Sequence, residues 1–183
     1  DELENTPPFR LVVNVSSSHF TTIEFMEAIN YLIENIGLEP RLLDLEISES
    51  IMIQDPKAME ILFELKNKHM SLTLDNYGSQ ATSMLSLKRF PITAIKIDRT
   101  FVRNILKEKM DKAIVKNTIR MANEIGLKTI AQGVESEEQL EMLLNWGCNE
   151  VQGYLFSKPL PEKAFFQYLK KFQPSNLLVE NMS

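Results

Sequence analysis

The sequence holds one cysteine, Cys148, and two histidines, His19 and His69. A lone cysteine excludes an internal disulfide framework and a cysteine-rich zinc site, and it fits a reducing compartment. The six glycines include no G-x-G-x-x-G word, so the phosphate loop of a doubly wound dinucleotide fold is missing. No apolar run approaches the roughly 20 residues of a membrane-spanning helix. Residues Asp1 to Pro8 are acidic and proline-ended, unlike a signal peptide, and read as a linker cut from a longer chain. Positive charge is also in deficit, with 20 Lys and Arg against 25 Asp and Glu and a net charge of -5. A broad electrostatic grip on a nucleic-acid polymer or an anionic membrane is disfavoured, while a local basic pocket stays open.

What is present is a globular composition, 44% hydrophobic and 25% charged over 183 residues, enough for one domain with a core. Along the chain, short β-branched runs alternate with helical periodicity. Strands are predicted at Leu11 to Val15, Leu42 to Ile47, Ser71 to Asp75, Ala94 to Ile97, Lys128 to Ala131 and Glu150 to Gln152. Helices are predicted from Thr22 to about Ile36, from Asp55-Pro56 to about His69, and around Thr82 to Arg89. Three more follow, from Asp111 to Ile125, Ser136 to Trp146 and Pro161 to about Phe172. Gly37, Gly126 and Gly147 stand at three helix stops. Each strand precedes a helix and no hairpin signal separates them, so the sheet is parallel. The fold class is α/β, an incomplete (β/α) TIM-like barrel of about six βα units.

A barrel of this kind carries its chemistry at the C-terminal ends of the strands. Polar residues fall there: Asn14, Glu46 and Glu49, Asp75 and Asn76, Lys96 and Asp98, Gln132 and Glu135, and Gln152. Carboxylates with an Asn and a Lys suit a hard divalent cation and a phosphate ester. The plainer reading is solvent exposure, because strand ends meet polar loops anyway. Asp98 reads first as a helix cap with a local ion pair to Arg99. Glu49 can cap the loop ahead of Asp55. His19 and His69 read as surface or packing residues, Cys148 as a small buried side chain, and Trp146 as packing at a helix end.

Read as words, these strand ends resemble the EAL-domain family of cyclic-di-GMP phosphodiesterases. The segments are Val13-Asn14-Val15-Ser16, Leu45-Glu46-Ile47-Ser48-Glu49-Ser50, Ile95-Lys96-Ile97-Asp98-Arg99, Thr129-Ile130-Ala131-Gln132-Gly133-Val134-Glu135 and Gln152-Gly153-Tyr154-Leu155-Phe156 with Pro159 beyond. The resemblance spans about Phe9 to Phe172 and implies a modified TIM barrel. It implies hydrolysis of cyclic-di-GMP to pGpG by active members, with two Mg²⁺ or Mn²⁺ ions and a water between them. Two dications offset the charge of an anionic diester and lower the pKa of that water. By resemblance, Asn14, Glu46 and Asp75 are metal ligands and Lys96 contacts the attacking water and phosphate. Glu135 joins Lys96 as a catalytic candidate, Gln152 and Pro159 are ligand-binding candidates, and Glu49 supports the loop after the third strand.

The departures are specific. Where the family has two aspartates, this chain has Asp75-Asn76, followed by Tyr77-Gly78. Where it has A-E-G-V-E, this chain has Gln132 in place of the first glutamate. The loop glycine, threonine and tyrosine give way to Ser79, Gln80 and Ala81. The Glu-Ala-Leu word itself is absent. Amide oxygens can ligate a hard cation but do not neutralise it. The expectation is therefore that the metal pair is not stably bound. The domain would act as a catalytically degenerate nucleotide sensor or protein-interaction module of bacterial cyclic-di-GMP signalling. The alternative is an active phosphodiesterase completed by upstream residues. A third reading keeps the partial barrel for homodimer formation through Thr82 to Arg89 and Asn104 to Met110, with Leu85 and Leu87 as probes.

The expected organisation is a linker at 1–8, a partial EAL-type barrel at 9–172 and a tail at 173–183. Expected partners are cyclic-di-GMP, a second copy, and an upstream sensory or GGDEF domain, in a bacterial cytoplasm and compatible with a membrane-anchored parent. A (β/α)8 barrel takes about 250 residues. Two strands are thus expected to be missing, leaving unpaired edges at Leu11 to Val15 and Glu150 to Gln152 that expose apolar surface.

Overall fold

The first strand, β1 (Leu11–Asn14), is a four-residue stretch whose side chains are all exposed. The structure is a computed structural model that describes residues 9–54, 56–78, 87 and 89–171. Asp55, Ser79 to Leu85, the linker at 1–8 and the tail at 173–183 lie outside the described residues. The chain divides into two compact units, Arg10–Phe156 and a smaller one made of Asp1–Phe9 with Ser157–Ser183.

In the larger unit, α1 (Ser17–Phe20) and α2 (Ile23–Glu34) follow β1. Thr22 caps α2, its Oγ1 accepting from the Phe25 amide at 3.4 Å. Next come β2 (Leu43–Ile47), α3 (Glu49–Gln54), α4 (Pro56–Asn67) and β3 (Ser71–Tyr77). Then follow β4 (Ala94–Ile97), α5 (Arg99–Asn104), α6 (Lys109–Glu124), β5 (Lys128–Gln132), α7 (Glu137–Asn145) and β6 (Glu150–Gln152). The smaller unit carries α8 (Glu162–Lys171), where Phe165 meets Phe9 edge-on with ring centroids 6.4 Å apart.

The six strands form one sheet in sequence order, and every neighbouring pair is parallel. At about 4.8 Å per strand, a flat sheet would hold β1 and β6 about 24 Å apart. Yet Arg10, beside β1, places its Nη2 2.6 Å from Glu150 Oε2 on β6. Two side chains cannot span that width, so the sheet must curl, as an incomplete barrel does. Along β1, Leu11 is 52%, Val12 45% and Val13 38% exposed, while Glu150 and Val151 of β6 are half-buried.

Parity along β2 shows how the curl is built. Leu43, Leu45 and Ile47 lie in a core with Leu62 and Leu65 of α4 and with Leu72 and Leu74 of β3. Asp44 and Glu46 alternate onto the opposite face, and all five β2 residues are buried. A second core joins Ile97 and Ala131 to Val102, Val115, Ile119 and Leu143 from α5, α6 and α7, and to Ile105 just past α5.

Three sequence readings need correction. The segments after β1 and β2 contain short helices, α1 and α3, that their few apolar positions did not reveal. Glu49 is the first residue of the second of these helices. Asp98 caps α5, but its carboxylate accepts from Thr100 N and Oγ1, both at 2.7 Å, and not from Arg99. Leu87, read as part of a pairing surface, is buried in the core.

Candidate functional site

Strand register brings the polar residues onto one face. Asn14 pairs with Glu46, Glu46 with Thr73, and Gln132 with Gln152. Residues in register share a face, and so do residues two apart on one strand. Asn14, Glu46, Thr73, Lys96, Gln132 and Gln152 therefore all project from the face opposite the helix-packed core.

The strongest contact there is Lys96 Nζ to Glu46 Oε1 at 2.6 Å, with both side chains about 5% exposed or less. A buried charge is tolerated only when paired, and each partner supplies the other's counter-charge. Farther out on β3, the pairing with β4 slips between Leu74 and Tyr77, so one extra residue bulges out. Bulges re-aim side chains at the rims of barrels. Here the slip falls on Asp75-Asn76, and Asn76 takes the left-handed conformation at φ 54°, which Asn adopts more readily than most residues. Its Nδ2 donates to Asp75 Oδ2 at 2.6 Å. The other carboxylate oxygen, Asp75 Oδ1, is buried without a hydrogen-bond partner among the described residues.

Glu49, at the start of α3, acts electrostatically on Tyr77 at the end of β3; burial first, then that carboxylate, pushes the Tyr77 phenol up. Gln132 is half-buried, while Asn14, Glu135 and Gln152 are exposed. Pro159 lies in the smaller unit and is exposed. Gly153 packs so tightly that a Cβ there would sit 1.9 Å from the Val134 carbonyl oxygen. That approach carries two amide bonds, from Gly133 N at 2.7 Å and Val134 N at 3.1 Å, to Gln152 O.

Could these residues hold a pair of dications? Among the described residues no three Asp, Glu, His or Cys side chains come close enough to enclose a metal ion. One Glu46 oxygen is committed to Lys96. Asp75 Oδ1 suits a single cation, but the donor set among the described residues does not fit two.

The sequence matches the EAL domain family over residues 1–159. The chain belongs to the EAL domain family. Relatives of this EAL domain include a Pseudomonas aeruginosa protein named cyclic di-GMP phosphodiesterase NbdA, 33% identical over 165 residues. That match covers 90% of this chain and 21% of NbdA. Among solved structures, the EAL enzyme Bd1971 in its cAMP- and cyclic-di-GMP-bound form superposes with a TM-score of 0.85 at 31% identity. It covers 88% of this chain and 43% of that one. Klebsiella pneumoniae BlrP1, solved with manganese and cyclic-di-GMP, gives a TM-score of 0.74 at 28% identity, covering 83% and 39%. The chain spans between about a fifth and two fifths of the length of the curated relatives it matches. No helix among the described residues is long and apolar enough to cross a membrane.

Two features of the EAL domain escaped the sequence reading. The buried Asp44 accepts from Thr73 Oγ1 at 2.8 Å and faces Arg10 Nε at 3.4 Å. An acid alternating with leucines in Leu43-Asp44-Leu45 was the signal. Gln139 is the other, signalled by the capping-box spacing Ser136-x-x-Gln139.

Proposed function

We propose that this EAL domain recognises cyclic-di-GMP at the C-terminal ends of its strands and does not hydrolyse it, serving as a nucleotide sensor or protein-interaction module. The carrying observation is the hydrogen bond from Asn76 to Asp75. Two adjacent carboxylates would need a cation to offset their repulsion, whereas here the amide donates to one oxygen of the carboxylate and adds no second negative charge. The Glu46–Lys96 pair adds to this by neutralising a second candidate ligand internally. Gln132 removes a third charge. With Mg²⁺ or Mn²⁺ in active relatives, the same positions would need those carboxylates to balance +4.

The test uses the full-length protein. Calorimetry with cyclic-di-GMP is expected to give binding heat, and a phosphodiesterase assay with Mg²⁺ and with Mn²⁺ is expected to give no pGpG. Turnover of about 1 per second or more would overturn the reading. Absence of heat at high micromolar nucleotide would leave protein interaction alone.

A second reading, an active enzyme completed by upstream residues, draws on the unpartnered Asp75 Oδ1, which one cation would satisfy. Reverting Asn76→Asp and Gln132→Glu together discriminates. Activity gained only in the double variant supports the loss of charge as the cause of inactivity. A cytoplasmic setting, a homodimer and an upstream sensory or GGDEF domain belong to this proposal as its context.

A further inference from the structure

We infer that Gln139 is a positioning residue that ties the loop after β5 to α5, so that the strand-end groups of β4 and β5 move as one body. Its side chain is 6% exposed and bonds at both ends. The amide oxygen accepts from Glu135 N at 2.8 Å and Ser136 N at 3.2 Å. The amide nitrogen donates to Val102 O at 3.3 Å and Arg103 O at 3.4 Å, 37 and 36 residues away in sequence. Reversing the amide would set N–H against N–H and oxygen against oxygen, so the network itself fixes its orientation.

The chemistry asks for more than a helix cap. A capping box accepts Glu as well as Gln at this position, because only an acceptor is needed. Here the far end also donates, to the carbonyls of the buried Val102 and the exposed Arg103, and a carboxylate would set oxygen against both. Only an amide meets both demands. The tied segments are the ones that matter: α5 follows Lys96 and is capped by Asp98, while the held loop carries Glu135 and follows Gln132. Gly133 lies against the same helix, at φ 86° and with a Cβ position 2.9 Å from Arg99 Cβ. The loop is thus pinned to α5 at two points, one steric and one polar.

This inference rests on the recognition reading above for its ligand, and the experiment separates the two. In the full-length protein, Gln139→Glu keeps the acceptor and loses the donor; Gln139→Met keeps the volume and loses both. Val115→Ala trims the core shared with α5 without touching the tie, and controls for lost stability. Expected are an affinity for cyclic-di-GMP about tenfold weaker in both Gln139 variants and unchanged in Val115→Ala. Amide exchange at Glu135 and Ser136 is expected to quicken about tenfold in Gln139→Met but not in Val115→Ala. A Gln139→Glu protein that binds as the wild type does would reduce the residue to a cap and overturn the tie. If the wild type gives no heat, the recognition reading fails. Exchange then decides the tie alone: unchanged rates in Gln139→Met overturn it, and quickened rates uphold it.

Discussion

The Lys96–Glu46 pair illustrates what a single buried contact costs and gives. Each charge is removed from water, and the 2.6 Å contact offsets that loss only while both partners remain. Lys96→Met should therefore destabilise the fold by about 3–5 kcal/mol, because Glu46 is left buried and unpaired. The double variant Lys96→Met with Glu46→Leu should recover much of that, and urea unfolding of both variants measures the difference. Asp44 presents the opposite balance. Burial pushes its carboxyl above the ordinary 3.8, although the Thr73 hydrogen bond and the Arg10 and Lys96 charges pull it down, with Glu150 adding to the rise. A carboxyl with a raised folded pKa holds its proton more tightly in the native state. Its ionisation then opposes folding, so this group's contribution weakens as pH rises from 3.8 through the raised folded value. Asp44→Asn should abolish that slope and match or exceed the parent's stability at neutral pH. Thermal unfolding across that range checks it; a variant much weaker at pH 7 would show that the Arg10 contact outweighs burial.

At the element scale, β6 is the shortest strand among the described residues and depends on its neighbour loop. Gly153 follows it directly and touches the backbone of Val134, which cannot yield as a side-chain tip would. Gly153→Ala should cost about 3 kcal/mol or more, by forcing the two loops apart and breaking the amide bonds to Gln152 O. Chemical denaturation, with exchange at Gly133 and Val134, tests this. Helix ends were well marked in the sequence. Ser136 and Gln139 form a capping box, and Thr22 and Asp98 cap α2 and α5 through local bonds that a reader of residue order can anticipate. The extra residue in β3 was not legible. It arises from how β3 must pair with β4 beyond Leu74, and alternation in Ser71 to Tyr77 gives no warning of it.

For the larger unit, the decisive property is the open edge. The outward side of β1 has no strand partner among the described residues, and Leu11, Val12 and Val13 are exposed on a strand of parallel-sheet composition. Such strands are ordinarily covered on both faces. The 183-residue chain alone should therefore associate as concentration rises, through edge pairing. Val12→Lys, charging that edge, should suppress the association in light scattering without altering the circular dichroism of the helices. Equal association in the variant would place the sticky surface elsewhere.

Residue order by itself determined the alternation of strand and helix, the parallel sheet, the family words and the acid-to-amide changes at Asn76 and Gln132. Those are local matters of periodicity, capping and residue identity. The tertiary structure alone decided that the sheet curls far enough for Arg10 to reach Glu150, that Lys96 spends its charge on Glu46, and that Asn76 turns back onto Asp75. It also decided that Gln139 reaches α5 across 36 residues of chain. Each of these depends on which side chains curvature and register bring within about 3 Å, a distance that residue order does not encode.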